Sequence, residues 1–201
     1  MSKFLKAFVI FSVLTASQVA NAGLITFNTK SLDQATLTDD LKTSWDLNGN
    51  SITHRDEVDS FEQFKIGRSK IGHINISFDL DQVGYWTLDF GLDAGLGAEV
   101  WVDGLLVVDR TDDLWWAGNW NHSDVFSMIN QEFSVGFHSI DLYFAEVCCD
   151  GPSSILFTDN ATQQVAFLSN DVLPQASVPE PASAALLALG ALGLMVRRKA
   201  K

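Results

Sequence analysis

Apolar and polar residues alternate along several stretches of the chain, which is the pattern of a β-strand with one buried face. Apolar side chains occupy every second position of residues 74–80, 86–90 and 139–144. Long stretches of helical periodicity are absent between residues 23 and 169. The pattern therefore predicts a domain built from short strands rather than from helices.

An Asp-Gly pair marks the tightest of the predicted turns. Residues 98–109 contain two apolar runs joined by Asp103-Gly104, and this pair supplies the positive φ angles of a hairpin turn. Many short strands with Gly and Asp turns predict an all-β fold, an antiparallel β-sandwich or jelly roll, over residues 23–169. Further strands are predicted near residues 24–27, 62–70, 126–135, 153–159 and 163–169, and loops or helical turns over 30–43 and 110–124.

The N-terminal 22 residues have the order of features found in a secretory signal. Lys3 and Lys6 precede the apolar run 8–14, and Ala20-Asn21-Ala22 supplies small residues at the cleavage site. The run is too short to span a bilayer. We therefore predict a signal helix over residues 1–22 that signal peptidase removes before Gly23.

The C-terminal residues 178–201 combine a Pro-rich motif, the apolar stretch 182–196 and a basic cluster. A permanent membrane span needs about 20 residues, so this stretch predicts a short transmembrane helix. The basic cluster would hold its end on the cytoplasmic side. Residues 170–177 are predicted to be a linker to this tail. The motif is Val178, Pro179, Glu180 and Pro181, and the basic cluster begins with Arg197 and Arg198.

This tail resembles the PEP-CTERM sorting signal. The resemblance implies recognition by an exosortase, a membrane cysteine protease of exopolysaccharide-making Gram-negative bacteria, and processing near residues 179–181. It also implies export through the inner membrane to the cell surface or the extracellular matrix. A simple membrane anchor is the alternative interpretation of the tail.

The charge of the chain is concentrated between the two terminal segments. The whole chain has 13 basic and 25 acidic residues, and residues 23–178 retain 7 basic and 24 acidic ones, a net charge of −17. Nucleic acid is excluded as a partner because phosphate binding needs the opposite charge. Carboxylates at this density could bind Ca²⁺, or could simply form a solvated surface.

Residues 71–158 are similar to the protective-antigen-type β-sandwich of bacterial toxins, glycosidases and yeast adhesins. The similarity rests on the Asp103-Gly104 turn and on a later strand with Gly136, His138, Ile140 and Tyr143 at matching places. In the calcium-dependent lectins of that family, two consecutive aspartates hold Ca²⁺, which then holds sugar hydroxyls. This chain has Asp93-Ala94 there, so the resemblance makes only Asp93 a candidate metal ligand.

A Trp-rich loop, residues 112–122, is the main candidate for ligand binding. Aromatic rings can lie on the apolar face of a sugar while amides bind its hydroxyls. The alternative is that each Trp fills the core beneath the loop. If the three indoles bind a sugar, they should be exposed together. The candidates are Trp115, Trp116, Asn119, Trp120 and Asn121.

Cys148 and Cys149 are adjacent and are the two cysteines of the chain. An exported protein is expected to be oxidised, which leaves a bond between the neighbours, bonds to another chain, or free thiols. We favour the bond between the neighbours, which would stiffen the chain before Asp150-Gly151. The pair also resembles a Cys-Cys-x-Gly subgroup of PEP-CTERM proteins.

Two classes of function follow from these observations. The first is a non-catalytic module that binds polysaccharide, and the second is a structural matrix protein without a defined ligand. No zinc-binding, nucleophile-elbow or phosphate-loop spacing is present in the sequence, so an enzyme is not predicted. No cofactor is predicted beyond Ca²⁺.

Overall fold

The computed structural model describes residues 23–33, 35–49 and 52–174. Both predicted terminal signals, including the predicted transmembrane helix, lie outside these residues. The elements are β1 (Leu24–Ser31), α1 (Leu41–Leu47), β2 (Ile52–Glu57), β3 (Lys70–Leu80), β4 (Gly84–Gly91), β5 (Asp93–Ala94), β6 (Ala98–Val102), β7 (Leu105–Arg110), β8 (Leu114–Trp115), β9 (Phe126–Phe133), β10 (Gly136–Glu146), β11 (Ser154–Asp159) and β12 (Gln164–Phe167).

The strands form two larger sheets and one small one. The first sheet has the order β2-β1-β3-β10-β6-β7, the second has the order β12-β11-β4-β9, and β5 pairs with β8 in the third. All of these strand pairs are antiparallel. The predicted all-β, antiparallel sandwich is therefore confirmed.

The core contains residues of both larger sheets. Strand β3 contributes Ile74, Ile76 and Phe78, and β4 contributes Trp86 and Leu88, all of them buried. The residues between them on each strand are partly exposed. The alternation seen in the sequence thus separates a buried face from a solvated one, and removal of this apolar surface from water is the main force that holds the sheets together.

The hairpin of β6 and β7 turns at Asp103 and Gly104, as predicted. Their φ angles are 49° and 79°, in the left-handed region that Asp tolerates and Gly adopts freely. The Asp103 carboxylate also reaches β10, where Oδ1 accepts from the Ser139 N–H at 2.9 Å and Oδ2 lies 2.7 Å from His138 Nδ1. The turn is therefore fixed to the neighbouring strand.

Helix α1 packs against the larger sheet through a second apolar cluster, separate from the main core. Its Leu41 and Trp45 contribute to this cluster beside Tyr143 of β10. The buried Glu99 carboxylate of β6 accepts from the Leu41 N–H at 2.6 Å and from the Lys42 N–H at 3.1 Å. A side chain of the sheet thus satisfies backbone donors that a helix N-terminus leaves unpaired.

The predicted secondary structure differs from the structure at residues 62–69 and at strands β2, β5 and β8, none of which was predicted. Residues 62–69 form no strand, because Gln63, Gly67 and Ser69 have positive φ angles of 58°, 87° and 50° that interrupt an extended backbone. Strand β2 was not predicted, since its sequence is mainly polar and shows no alternation.

The structure describes the first five residues of the predicted linker, 170–174. Leu173 is buried within the core cluster, and the Asn170 N–H donates to the Asp59 carbonyl at 2.8 Å. Residues 170–174 are therefore part of the body, because they add a buried side chain and a backbone hydrogen bond to it. In the part of the chain that the structure describes, no helix has the length and apolar character needed to cross a membrane.

Candidate functional site

A cavity of about 590 Å³ opens where the small sheet of β5 and β8 meets the end of β10. The residues that line it come from three separate segments of the chain, and they combine carboxylates, one indole and a disulfide. We call this cavity the β5–β8 pocket. Its lining residues are Asp93, Gly95, Asp113, Trp115, Glu146, Val147, Cys148, Cys149 and Gly151.

Trp115 is the aromatic side chain of the β5–β8 pocket. It lies directly opposite Asp93 in the pairing of β5 with β8, and such cross-strand partners project to the same face of a sheet. Its indole is 60% exposed. Its backbone N–H donates to Asp124 Oδ2 at 2.9 Å, which fixes the start of the loop that follows. The ring is therefore held at its backbone and open to solvent.

Glu146 joins two walls of the pocket. Its carboxylate is only 4% exposed, and it accepts from the Gly95 N–H at 2.9 Å and from the Cys148 N–H at 2.6 Å. Hydrogen bonds to an ionised acceptor are stronger than those between neutral groups. Glu146 therefore fixes the turn after β5 to residues 147–151, which contain the two cysteines and are called the cysteine segment below.

Asp93 makes a second connection between the same walls. Its Oδ2 accepts from the Gly151 N–H, and its own N–H donates to Ser153 Oγ at 3.0 Å. A Cβ added at Gly151 would lie 2.6 Å from Asp93 Oδ2, so the close approach requires glycine. Burial raises the pKa of Asp93, the Gly151 N–H opposes this, and the negative charges of Asp113 and Asp150 raise it further.

Cys148 and Cys149 are joined to each other by a disulfide that lines the pocket. Both residues are exposed. The next peptide units turn sharply, with φ angles of 78° at Cys149 and 35° at Asp150, in a region that non-glycine residues seldom adopt. Asp150 Oδ1 accepts from the Gly67 N–H at 2.8 Å and fixes the turn to the body.

The three Trp residues of the loop do not form one exposed surface. Trp116 is 1% exposed and packs against Trp120, with ring centroids 4.6 Å apart, while Trp120 is half-buried. A Cβ added at Gly91 would lie 2.7 Å from the Trp116 ring, so a glycine makes room for it. Trp116 thus fills the core, and Trp115 alone of the three projects from the loop.

The two candidate amides lie on the loop beyond these rings. Asn119 and Asn121 are both exposed, and Asn119 Oδ1 accepts from the Asn121 N–H at 3.1 Å. Neither amide lines the β5–β8 pocket. Their hydrogen bond stabilises the loop turn, and the structure does not bring them together with Trp115 at the cavity.

Asp93 is the candidate Ca²⁺ ligand from the sequence, and it lines the β5–β8 pocket. Within residues 23–33, 35–49 and 52–174, no three His, Cys, Asp or Glu side chains are arranged so that they could hold a metal ion. Ca²⁺ takes six to eight oxygen ligands. Among the described residues, Asp93 therefore belongs to no such group.

Sequence reasoning missed Glu146, Gly95 and Gly151 as parts of the site. Glu146 is the last residue of a strand whose four preceding residues are buried, and it stands two positions before the cysteine pair. A charged residue at the end of a buried strand was the available signal, since such a side chain needs hydrogen-bond partners.

The comparison with protein families identifies the end of the chain. Residues 177–199 match the PEP-CTERM protein-sorting motif. This motif implies that the protein is exported, that an exosortase processes it, and that it reaches the cell surface or the extracellular space of a bacterium. A comparison with curated proteins finds no match.

Solved structures resemble the body in fold. The PA14 domain of the antifreeze protein MpAFP is 13% identical, with a TM-score of 0.50, 81% of this chain covered and 96% of that chain. The A domain of epithelial adhesin 6 from Candida glabrata, solved with Galb1-3GlcNAc, is 10% identical, with a TM-score of 0.48 and coverages of 83% and 92%. At 13% identity the likeness to the PA14 domain concerns the fold alone, and it agrees with the β-sandwich found here.

Proposed function

We propose that the exported body is a non-catalytic carbohydrate-binding module and that the β5–β8 pocket is its binding site. The observation that carries this proposal is the exposed indole of Trp115 at a cavity lined by carboxylates. An apolar ring beside a few placed polar groups is the usual composition of a small-ligand site.

The pocket supports sugar binding through two kinds of contact. The face of the Trp115 indole offers an apolar platform for the C–H face of a sugar ring. Asp93 and Asp113 lie beside it and can accept hydrogen bonds from hydroxyl groups. Because Glu146 and Asp93 are already fixed by backbone N–H groups, the walls need little ordering when a ligand binds.

The hydrogen bonds of Glu146 support binding rather than catalysis. A general acid or base must exchange a proton with the substrate. Both oxygens of Glu146 already accept backbone N–H groups, so its carboxylate is engaged within the pocket wall. Glu146 is therefore a structural part of the pocket wall in this proposal.

A glycan and polysaccharide binding screen on the processed, oxidised protein tests the proposal. We expect Trp115→Ala to abolish measurable retention. The matched control is Phe137→Ala, because Phe137 is also an aromatic residue, is 64% exposed and lies at the opposite end of β10 from the pocket. Retention that is equal in the two variants, or absent from the unchanged protein, would overturn the proposal.

The alternative of a structural matrix protein is favoured by one observation on the sheet edge. Strand β7 is an edge of the larger sheet, and it carries three consecutive exposed apolar residues, Leu105, Leu106 and Val107, the first 72% exposed. Exposed edge strands can pair with another chain. Sedimentation of the unchanged protein and of Leu106→Lys tests this: assembly that the substitution abolishes would favour the matrix function.

A further inference from the structure

The β5–β8 pocket is acidic, and no basic side chain lines it. Its charged lining residues are Asp93, Asp113 and Glu146. Two basic side chains outside the lining bear on its charge: Lys65 acts weakly on Asp93, and the Arg110 guanidinium is paired with Asp112 by two hydrogen bonds of 2.7 and 2.5 Å. Its positive charge is therefore largely neutralised by that carboxylate.

Asp113 differs from the other two carboxylates of the pocket. Asp93 and Glu146 are buried and accept backbone N–H groups, whereas Asp113 is exposed and has no hydrogen-bond or ion-pair partner among the described residues. It is two residues from Trp115 and lines the same cavity. The unpaired Asp113 carboxylate and the exposed Trp115 indole thus line the same cavity.

This pair of groups suits a cation better than a neutral molecule. A carboxylate attracts an ammonium by charge, and an indole face attracts it through the ring quadrupole. The net charge of −17 over residues 23–178 adds a long-range attraction for cations and a repulsion for anions. Uronic acids and sulfated sugars are disfavoured on the same ground.

We infer that the β5–β8 pocket takes an amino sugar with a free ammonium group, held between the Asp113 carboxylate and the Trp115 indole. This inference rests on the proposed carbohydrate-binding function and narrows its ligand class. The sugar ring stacks on the indole, and the ammonium faces the carboxylate.

Two oligosaccharides with the same backbone test the inference. A tetramer of β-1,4-linked glucosamine carries free amines, and its fully N-acetylated counterpart carries none. Titration calorimetry on the processed protein should give about tenfold tighter binding of the amine form, because an exposed ion pair and a cation–π contact are each worth a few-fold. The preference should shrink between about 50 and about 500 mM NaCl.

Two isosteric variants separate the pocket from the overall charge of the protein. Asp113→Asn and Asp81→Asn each remove one negative charge, but Asp81 follows β3 at the end of the sheet opposite the pocket. We expect Asp113→Asn to reduce the preference to about twofold, and Asp81→Asn to leave it unchanged. Equal effects of the two variants would mean general attraction of a polycation and would overturn the inference.

The remaining outcomes distinguish a failure of the ammonium inference from a failure of the proposed carbohydrate-binding function. Equal affinity for both tetramers, lost in Trp115→Ala, would overturn the ammonium inference and leave sugar binding intact. A preference for the N-acetylated tetramer that is seen in buffer with Ca²⁺ and disappears in buffer with EDTA would also overturn the ammonium inference. Failure of every glycan to bind the unchanged protein would overturn both.

Discussion

Replacement of Glu146 tests whether one carboxylate holds two walls of the β5–β8 pocket together. Glu146→Ala removes the acceptor of the Gly95 and Cys148 N–H groups, which lie 2.9 and 2.6 Å from its oxygens. Glu146→Gln keeps the volume, but its amide oxygen replaces one acceptor while its NH₂ group faces the other donor. Both changes should release the cysteine segment from the turn after β5.

The expected loss of stability follows from the two hydrogen bonds. A hydrogen bond to a charged group contributes about 1.5–3 kcal/mol. Both donors lie in partly buried positions where water can replace part of the loss, so we expect about 2–4 kcal/mol for Glu146→Ala. For a body of this size, each kcal/mol lowers Tm by about 2–4 °C.

Urea unfolding and amide hydrogen exchange measure the two consequences. The free energy of unfolding should fall in both variants, and exchange at Gly95 and Cys148 should accelerate more than exchange in β3. Glu132→Gln is the control, because it removes the same charge from an exposed residue of β9. The reasoning is refuted if Glu146→Gln and Glu132→Gln have equal stability and equal exchange at the two amides.

Three further predictions concern residues away from that carboxylate. Glu99→Ala should cost about 2–4 kcal/mol in urea unfolding and lower far-UV helix signal, since it leaves the first N–H groups of α1 unpaired. Trp116→Ala should cost about 3–5 kcal/mol, whereas Trp115→Ala should stay within about 0.5 kcal/mol, because only Trp116 is buried. Burial alone would lower the pKa of His138, but the contacts with Asp103 and with a backbone carbonyl outweigh it and raise that pKa. Its stabilising contribution should therefore be complete below about pH 6.5 and be lost as pH rises through the raised pKa, a dependence that Asp103→Asn should flatten in unfolding curves from about pH 5 to 9.

The fold was predictable where apolar and polar residues alternate along the sequence. Strands β3, β4 and β10 alternate clearly because each has one face on the core and one outside it. The turn at Asp103-Gly104 was predictable because few residue pairs adopt positive φ angles easily. These are local properties, and the sequence carries them directly.

The missed elements depend on contacts between distant residues. Strand β2 has no apolar pattern, and pairing with β1 places it at the sheet edge. The segment 62–69 contains the apolar residues Phe64 and Ile66, but Gln63 and Ser69 adopt positive φ angles there although neither is glycine. A pattern of side chains cannot predict such a path.

The candidate site was predictable only in its separate parts. Trp115, Asp93 and the cysteine pair were each conspicuous in the sequence, but nothing in the spacing shows that they share a cavity. Asp93 and Cys148 are more than fifty residues apart, and sheet topology brings them together. The opposite error occurred for Trp116, because neighbours in sequence lie in different environments: Trp115 ends β8 on its exposed face, and Trp116, directly after the strand, is buried.

The arrangement of the pocket separates groups that hold structure from groups that remain free for a ligand. Pairing of β5 with β8 joins the first two segments, and the carboxylates of Glu146 and Asp93 each join the first segment to the third. Loss of either carboxylate leaves the other connection in place. A single substitution at Glu146 or Asp93 should therefore loosen the pocket while the three segments stay close together. Trp115 and Asp113 take no part in these side-chain connections, and their substitution should change affinity while stability is retained. If the proposed binding function holds, such fixed walls should lose little conformational entropy when a ligand binds between Trp115 and Asp113.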